Sequence, residues 1–425
     1  MSLANTATAH QVQHGSTHGR RLMLSIAVLV GYALVMVMTI GFPLGEKMMS
    51  PPLTIQVSAT FLLIGLTVSL ITMMRMAQVS IWNMQAQILP IWASMTVIIA
   101  IITMVGRLPY SSVFFALNWV SGLILLYLFS HLISHYAGFR IGVLPGLHLN
   151  ERNPLHQLIP VPENSPLPEG LDAVVASAEQ MQQPETMAML SELAIRRVPV
   201  IPDTVYREQI TGRVQLDRVE TNELVQLQNY QRYAVIKRLS DIIMSLAGLL
   251  LLLPLMIILA LIIRLESPGN PIFVQVRTGL SGREFRMYKF RSMVEDADAS
   301  GARFARTGDD RVTRTGRIIR HLRLDELPQL YNVLIGDMSM IGPRPEQKAL
   351  VDDLARAIPL FHFRHLVRPG ITGWAQVTQG YADDVNSSDI KLSYDLFYIK
   401  NLSLMMDFVV FFRTLKTIMT GFGSR

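Results

Sequence analysis

Ile242–Ile263 reads IIMSLAGLLLLLPLMIILALII, with no charged residue and Pro254 near its middle. About 20 apolar residues in a helix cross a hydrocarbon core, so length alone makes this stretch a span. Pro254 opposes that reading, because proline removes a helical hydrogen bond and kinks the helix. Lys237 and Arg238 precede the stretch and Arg264 follows it, and such cations sit at headgroup depth. Both ends can therefore occupy one membrane surface. We expect a re-entrant helix over 239–264 that enters the bilayer, breaks and returns to the side it left.

Four further apolar stretches lie upstream: Leu22–Phe42, Thr54–Met74, Ile88–Val105 and Ser112–Tyr136. Each meets or approaches spanning length, and an even number returns the chain to its starting side. Arg20, Arg21, Arg75, Arg140 and Arg152 fall on one side, Lys47 and Arg107 on the other. The positive-inside bias puts the N-terminus and everything after Tyr136 in the cytoplasm. A full crossing at 242–263 would carry the downstream motifs outside. His131 and His135, one turn apart in the fourth stretch, read as an interfacial pair rather than a metal site.

Half of the residues are hydrophobic and only 16% are charged, the balance of a membrane protein. Cysteine is absent, which excludes disulfides, thiolate metal sites and a cysteine nucleophile. The net charge of +6 suits anionic lipid and nucleotide phosphates, and no free basic tract points to nucleic acid.

Downstream, Leu324–Glu346 reads LDELPQLYNVLIGDMSMIGPRPE. Asp325 and Glu326 precede Pro328, a residue that suits a first helical turn, and backbone N–H groups there favour phosphate. Pro343-Arg344-Pro345 holds a guanidinium on a stiff backbone, and arginine forks onto phosphate. Lys289 and Arg291 flank Phe290 and would share one face of a strand. Arg277 is another phosphate candidate. Arg311, Arg314, Arg317, Arg320 and Arg323 recur every third residue, a basic helix face for headgroups or substrate phosphates. Acids able to hold a metal beside cations able to hold phosphate point to phosphoryl transfer.

From Lys237 to Arg425 the chain resembles the bacterial sugar transferases, the monotopic polyprenyl-phosphate sugar-1-phosphate transferases. The resemblance rests on KRLSDIIMSLAG, NPIFVQVRTGLSGREFRMYKFRSM, TRTGRIIRHLRLDELPQLYNVLIGDMSMIGPRPE, RPGITGWAQVTQGY and KLSYDLFYIKNLSLMMD, in that order. With the apolar N-terminal block, the whole chain is similar to the larger members that start exopolysaccharide or O-antigen synthesis on undecaprenyl phosphate. The resemblance implies the same membrane hairpin, Mg²⁺ as cofactor and a UDP-sugar donor that releases UMP. It implies Asp325 as nucleophile and magnesium ligand, with Glu326 as second ligand or proton carrier. Direct attack by the lipid phosphate, with both acids as ligands, stays open. Lys289, Arg291, Arg344, Arg277, Arg320 and Arg368 are the expected substrate contacts. A catalytically silent scaffold and a nucleotide-sugar hydrolase are the competing functions. No residue reports which sugar is carried.

The expected architecture is a mainly α membrane protein. It has an unstructured 1–21, a four-helix transmembrane bundle over 22–136, a small α/β module within 137–231 and a mostly helical catalytic domain over 232–425. Within the module, Pro145–Pro168 reads as a surface linker, Leu171–Ala176 and Val198–Ile201 as strands, and Glu185–Arg196 as a helix. This resembles part of a Rossmann-like module whose first strand and glycine-rich turn are missing, so it is assigned no cofactor. Glu220–Tyr233 reads as a linker helix. Trp374 is expected at the membrane interface, and Lys391–Asp407 either in the headgroup plane or packed in the core. A bacterial inner-membrane location and a homodimer complete the expectations.

Overall fold

In the computed structural model the described residues are 16–44, 52–79, 84–136, 138–149, 156–162, 167–168, 170–218, 228–293, 312–379 and 385–420. The chain divides into two compact units, Met1–Gly212 and Arg213–Arg425.

The first unit begins with four apolar helices, α1 (Ser16–Leu44), α2 (Leu53–Val79), α3 (Met84–Val105) and α4 (Ser112–Tyr136). They pack around Trp92, Tyr32, Leu62, Leu66 and Phe129, while Ile26, Val30 and Leu34 on α1 face outward. Gly122 lets α4 approach Trp92, since a Cβ there would lie 2.6 Å from the indole. α1 starts six residues before Leu22, so 16–21 are helical, contrary to expectation; 1–15 lie outside the described residues. The reason is local neutralisation. Arg21 is fully buried and its two terminal nitrogens donate to the two Asp172 carboxylate oxygens at 2.7 Å. One of them also reaches Gly138 O at 2.9 Å, and the guanidinium covers the Phe139 ring at 3.8 Å.

The same unit holds a four-stranded parallel sheet, β1 (Phe139–Val143), β2 (His156–Pro160), β3 (Ala173–Ala176) and β4 (Val200–Pro202), in the order β2-β1-β3-β4. α5 (Pro184–Ile195) crosses from β3 to β4, and α6 (Asp203–Thr211) follows. Two expectations are corrected. The module does have its first strand, β1, and the supposed linker supplies an edge strand, β2. FRIGV adjoins the last apolar helix, and its alternation of Phe139, Ile141 and Val143 spans only five residues. It is a strand because both neighbours hydrogen-bond to it. Gly142 is required there: a Cβ would press on Val161, Leu171 and Val174 at 2.9–3.0 Å.

The second unit opens with α7 (Gln228–Glu266), one helix that continues through Pro254 and, contrary to expectation, does not break there. Next come β5 (Ile272–Thr278) and β6 (Glu284–Phe290), paired antiparallel. After 294–311, outside the described residues, stand α8 (Arg314–His321), a 3-10 turn at Leu324–Glu326, and α9 (Gln329–Ile335). β7 (Ser339–Ile341) pairs in parallel with β8 (Gly370–Thr372), with α10 (Lys348–Ala357) between them in sequence. α11 (Trp374–Thr378), α12 (Val385–Lys400) and α13 (Leu404–Thr420) complete the unit.

α7 is anchored on both sides of Pro254. Before it, Arg238 donates to Val333 O and Leu334 O at 2.6 and 2.8 Å. Asp241 accepts from Ser339 Oγ and Met340 N at 3.0 and 2.9 Å. Beyond it, Leu259 and Ile263 pack with Phe290 and Ile319, and Glu266 accepts from Thr315 N at 3.2 Å. Between these anchors Leu250, Leu251, Ile257, Ile258 and Leu261 are exposed. Trp374 is buried against Phe397 with the Arg413 guanidinium 4.4 Å above its ring, and so is not an interfacial anchor. Leu392, Leu396, Phe397, Tyr398 and Ile399 are buried too, so α12 is a core helix.

Candidate active site

The acids sit in the 3-10 turn before α9, not inside its first turn. Pro328 has φ −62° and ψ −19° and continues the helical path into α9. Arg323, immediately upstream, has φ +55°, a left-handed conformation that costs a non-glycine residue about 1–2 kcal/mol. Strain of this kind persists where surroundings over-determine it. Here it points the Arg323 side chain back to Glu326, 4.0 Å away.

Glu326 is buried and accepts from Arg344 Nη2 at 2.8 Å, with Lys289 Nζ at 4.0 Å. Burial raises its pKa, but Arg344, Lys289 and Arg323 outweigh that and hold it well below the usual carboxylate range. Asp325 goes the opposite way. Burial and then the Glu326 charge push its carboxyl up, against the pull of Lys289, Arg344 and Arg320. Two adjacent carboxylates thus have separate characters. Lys289 is pushed down to about 8 by burial and by Arg344.

β6 delivers Lys289, and Asn332 locks β6 to α9 by accepting from Tyr288 N at 3.1 Å and donating to Arg286 O at 2.7 Å. β7 delivers the Pro343-Arg344-Pro345 turn. Its close approach to β8 needs glycine, because a Cβ on Gly370 would meet Gly342 N at 2.1 Å. Behind the turn, Glu346 accepts from Lys391 at 2.5 Å and lies 3.4 Å from Arg277. Arg364 donates to Arg344 O at 2.8 Å and to Asp395 at 2.9 Å.

Of the expected substrate cations, the fold brings Lys289 and Arg344 together at the acids, with Arg320 acting on Asp325 while its Nε donates to Ser292 Oγ at 2.8 Å. The others are engaged elsewhere. Arg291 donates to Pro268 O and Ser267 O at 2.8 and 2.6 Å, bracing the exit from α7. It lies one residue past the end of β6, so strand alternation no longer governs it. Arg277 donates to Gln275 Oε1 at 2.6 Å and Pro345 O at 3.2 Å, buttressing the arginine turn. Arg368 caps α9 through Gly336 O at 2.9 Å. Arg311 lies outside the described residues. Sequence reasoning missed Glu346, Arg364 and Asp395. Glu346 directly follows the proline–arginine–proline turn, the one available signal.

No cluster of three metal-binding side chains occurs among the described residues. The donor set still suits magnesium, which keeps several waters and takes one or two carboxylates plus substrate phosphates. Among the described residues Asp325 has no salt bridge, whereas Glu326 is committed to Arg344.

The bacterial sugar transferase family matches residues 232–421. The chain is 49% identical over 255 residues to the UDP-N-acetylgalactosamine-undecaprenyl-phosphate N-acetylgalactosaminephosphotransferase of Aeromonas hydrophila, covering 60% of each chain. It is 42% identical over 186 residues to the UDP-glucose:undecaprenyl-phosphate glucose-1-phosphate transferase of Caulobacter vibrioides, 43% of this chain and 70% of that one. With the exopolysaccharide production protein PSS of Rhizobium leguminosarum it shares 40% identity over 195 residues, 96% of that relative. Since the chain covers nearly all of such a relative, and the acids and cations lie within residues 232–421, the chain belongs to the bacterial sugar transferase family.

Proposed function

We propose that this protein moves a sugar-1-phosphate from a UDP-sugar to undecaprenyl phosphate at the cytoplasmic face of the inner membrane, releasing UMP. The observation that carries the reading is the unequal pair: Glu326 ion-paired with Arg344, and Asp325, half-buried beside the same cations, without a salt bridge among the described residues. A carboxylate so placed is a nucleophile in phosphoryl transfer. An Asp325 oxygen bonds to the β-phosphorus, the bond to the α-phosphate oxygen breaks, and UMP leaves with that electron pair. An oxygen of the lipid phosphate then attacks the same phosphorus and Asp325 departs. Lys289 and Arg344 balance the charge gathered on the phosphoryl oxygens. Mg²⁺, held by Asp325 and the donor phosphates, would supply further neutralisation.

The re-entrant form of α7 belongs to this reading. Among the described residues five helices are long and apolar enough to cross a membrane, α7 included. Anchors on both flanks of Pro254 engage the same catalytic unit, which supports a helix that enters and returns. Its exposed leucines and isoleucines would face lipid tails, bringing the acids to the depth of a lipid phosphate.

The test uses the full chain in membranes with Mg²⁺, undecaprenyl phosphate and labelled UDP-N-acetylgalactosamine or UDP-glucose, the donors in the relatives' names. Label in the lipid phase is expected; free sugar phosphate would mean a hydrolase, and no product a scaffold. Asp325→Asn should lower turnover by about three orders of magnitude or more, the scale on which nucleophiles contribute. Near-normal turnover in that variant would refute the nucleophile.

A further inference from the structure

Glu326, Gln329 and Asn332 are spaced three apart on one continuous helical path from Leu324 through Ile335, and residues at that spacing share a face. All three are buried, Gln329 at 2% exposure. The outer two have their partners. Asn332 is pinned to the β6 backbone at Arg286 and Tyr288, and Glu326 faces Arg344 and Lys289. Gln329 lies between them along the same helical path. Its Nε2 finds no hydrogen-bond partner among the described residues.

A buried amide donor left empty is destabilising, and native proteins retain few of them. An apolar side chain of the same length would fill this position without that cost. The neighbours define what the donor can serve. Lys289 and Arg344, which meet Glu326 one turn away, gather negative charge, and a buried N–H on that helical face takes an oxygen acceptor.

We propose that Gln329 Nε2 is a substrate contact, donating to a non-bridging oxygen on the phosphorus that Asp325 attacks. The proposal rests on the transferase reading above and adds a residue to it. Cations supply charge without strong direction, whereas a carboxamide fixed by burial supplies one directed hydrogen bond, which helps set the phosphoryl group in line for attack.

The experiment compares wild type with Gln329→Met in the full chain, measuring kcat, KM and thermal midpoint. The donor is the UDP-sugar, natural or with sulfur replacing one non-bridging β-oxygen, each diastereomer separately. Turnover should fall about 10- to 100-fold, the worth of a hydrogen bond to a charged group, while the midpoint holds or rises. One thio diastereomer should slow wild type and slow the variant much less. Unchanged turnover in Gln329→Met would overturn the proposal, as would a midpoint that falls in step with activity. An undiminished thio effect would overturn the phosphoryl contact. Wild type that makes no lipid-linked product would instead refute the transferase reading itself.

Discussion

Asp325 and Glu326 are chemically near-identical neighbours that the fold makes different. Glu326 has a guanidinium at 2.8 Å and is held ionised, while Asp325 is raised to about 6 by burial and by Glu326. Lys289 is lowered to about 8. An attacking Asp325 must be deprotonated, so activity is gained as pH rises through about 6. Lys289 must be charged, so activity is lost as pH rises through about 8. The pH profile of kcat/KM should be bell-shaped between those limits. Lys289→Arg should remove the falling limb, because arginine stays charged; a falling limb that persists in that variant would assign it to another group.

At the level of elements, the site depends on how strands and helices are tied together. Arg291 shows the difference between a cation near phosphate chemistry and one in it. Its two bonds to Pro268 O and Ser267 O hold the chain leaving α7 against β5 and β6. Arg291→Met leaves two carbonyls without their charged donor and should cost about 2–3 kcal/mol of stability. Its KM for the UDP-sugar should stay within about twofold, as for a residue outside the reacting centre. A large KM increase at unchanged thermal midpoint would return Arg291 to the substrate. Asp407 plays a similar structural part, accepting from Lys237 at 2.6 Å and Tyr398 at 2.7 Å and so joining α7, α12 and α13.

For the whole molecule, the decisive question is which side of the membrane the second unit occupies. The chain has no cysteine, so single engineered cysteines report without background. Asn270→Cys and Arg283→Cys, both at exposed positions after α7, should resist a membrane-impermeant maleimide in intact cells and react in inverted vesicles. Labelling in intact cells would place the acids away from cytosolic nucleotide sugars and defeat the hairpin with the function.

Much of this was legible in the residues. Apolar runs, the Asp325-Glu326 pair and the proline-flanked Arg344 declare themselves locally, because solvent preference and backbone stiffness belong to each segment alone. Lys289 and Arg344 at the acids could be expected from motif order. The rest depends on contacts between segments distant in sequence. β1 and β2 are strands because of the partners beside them. Arg291 and Arg368 donate to backbone carbonyls, and Arg277 to Gln275 and Pro345, partners that no local pattern announces. Trp374 is covered by Arg413. The division of labour between Asp325 and Glu326 follows from desolvation and the position of one guanidinium, quantities that exist only once the chain has folded.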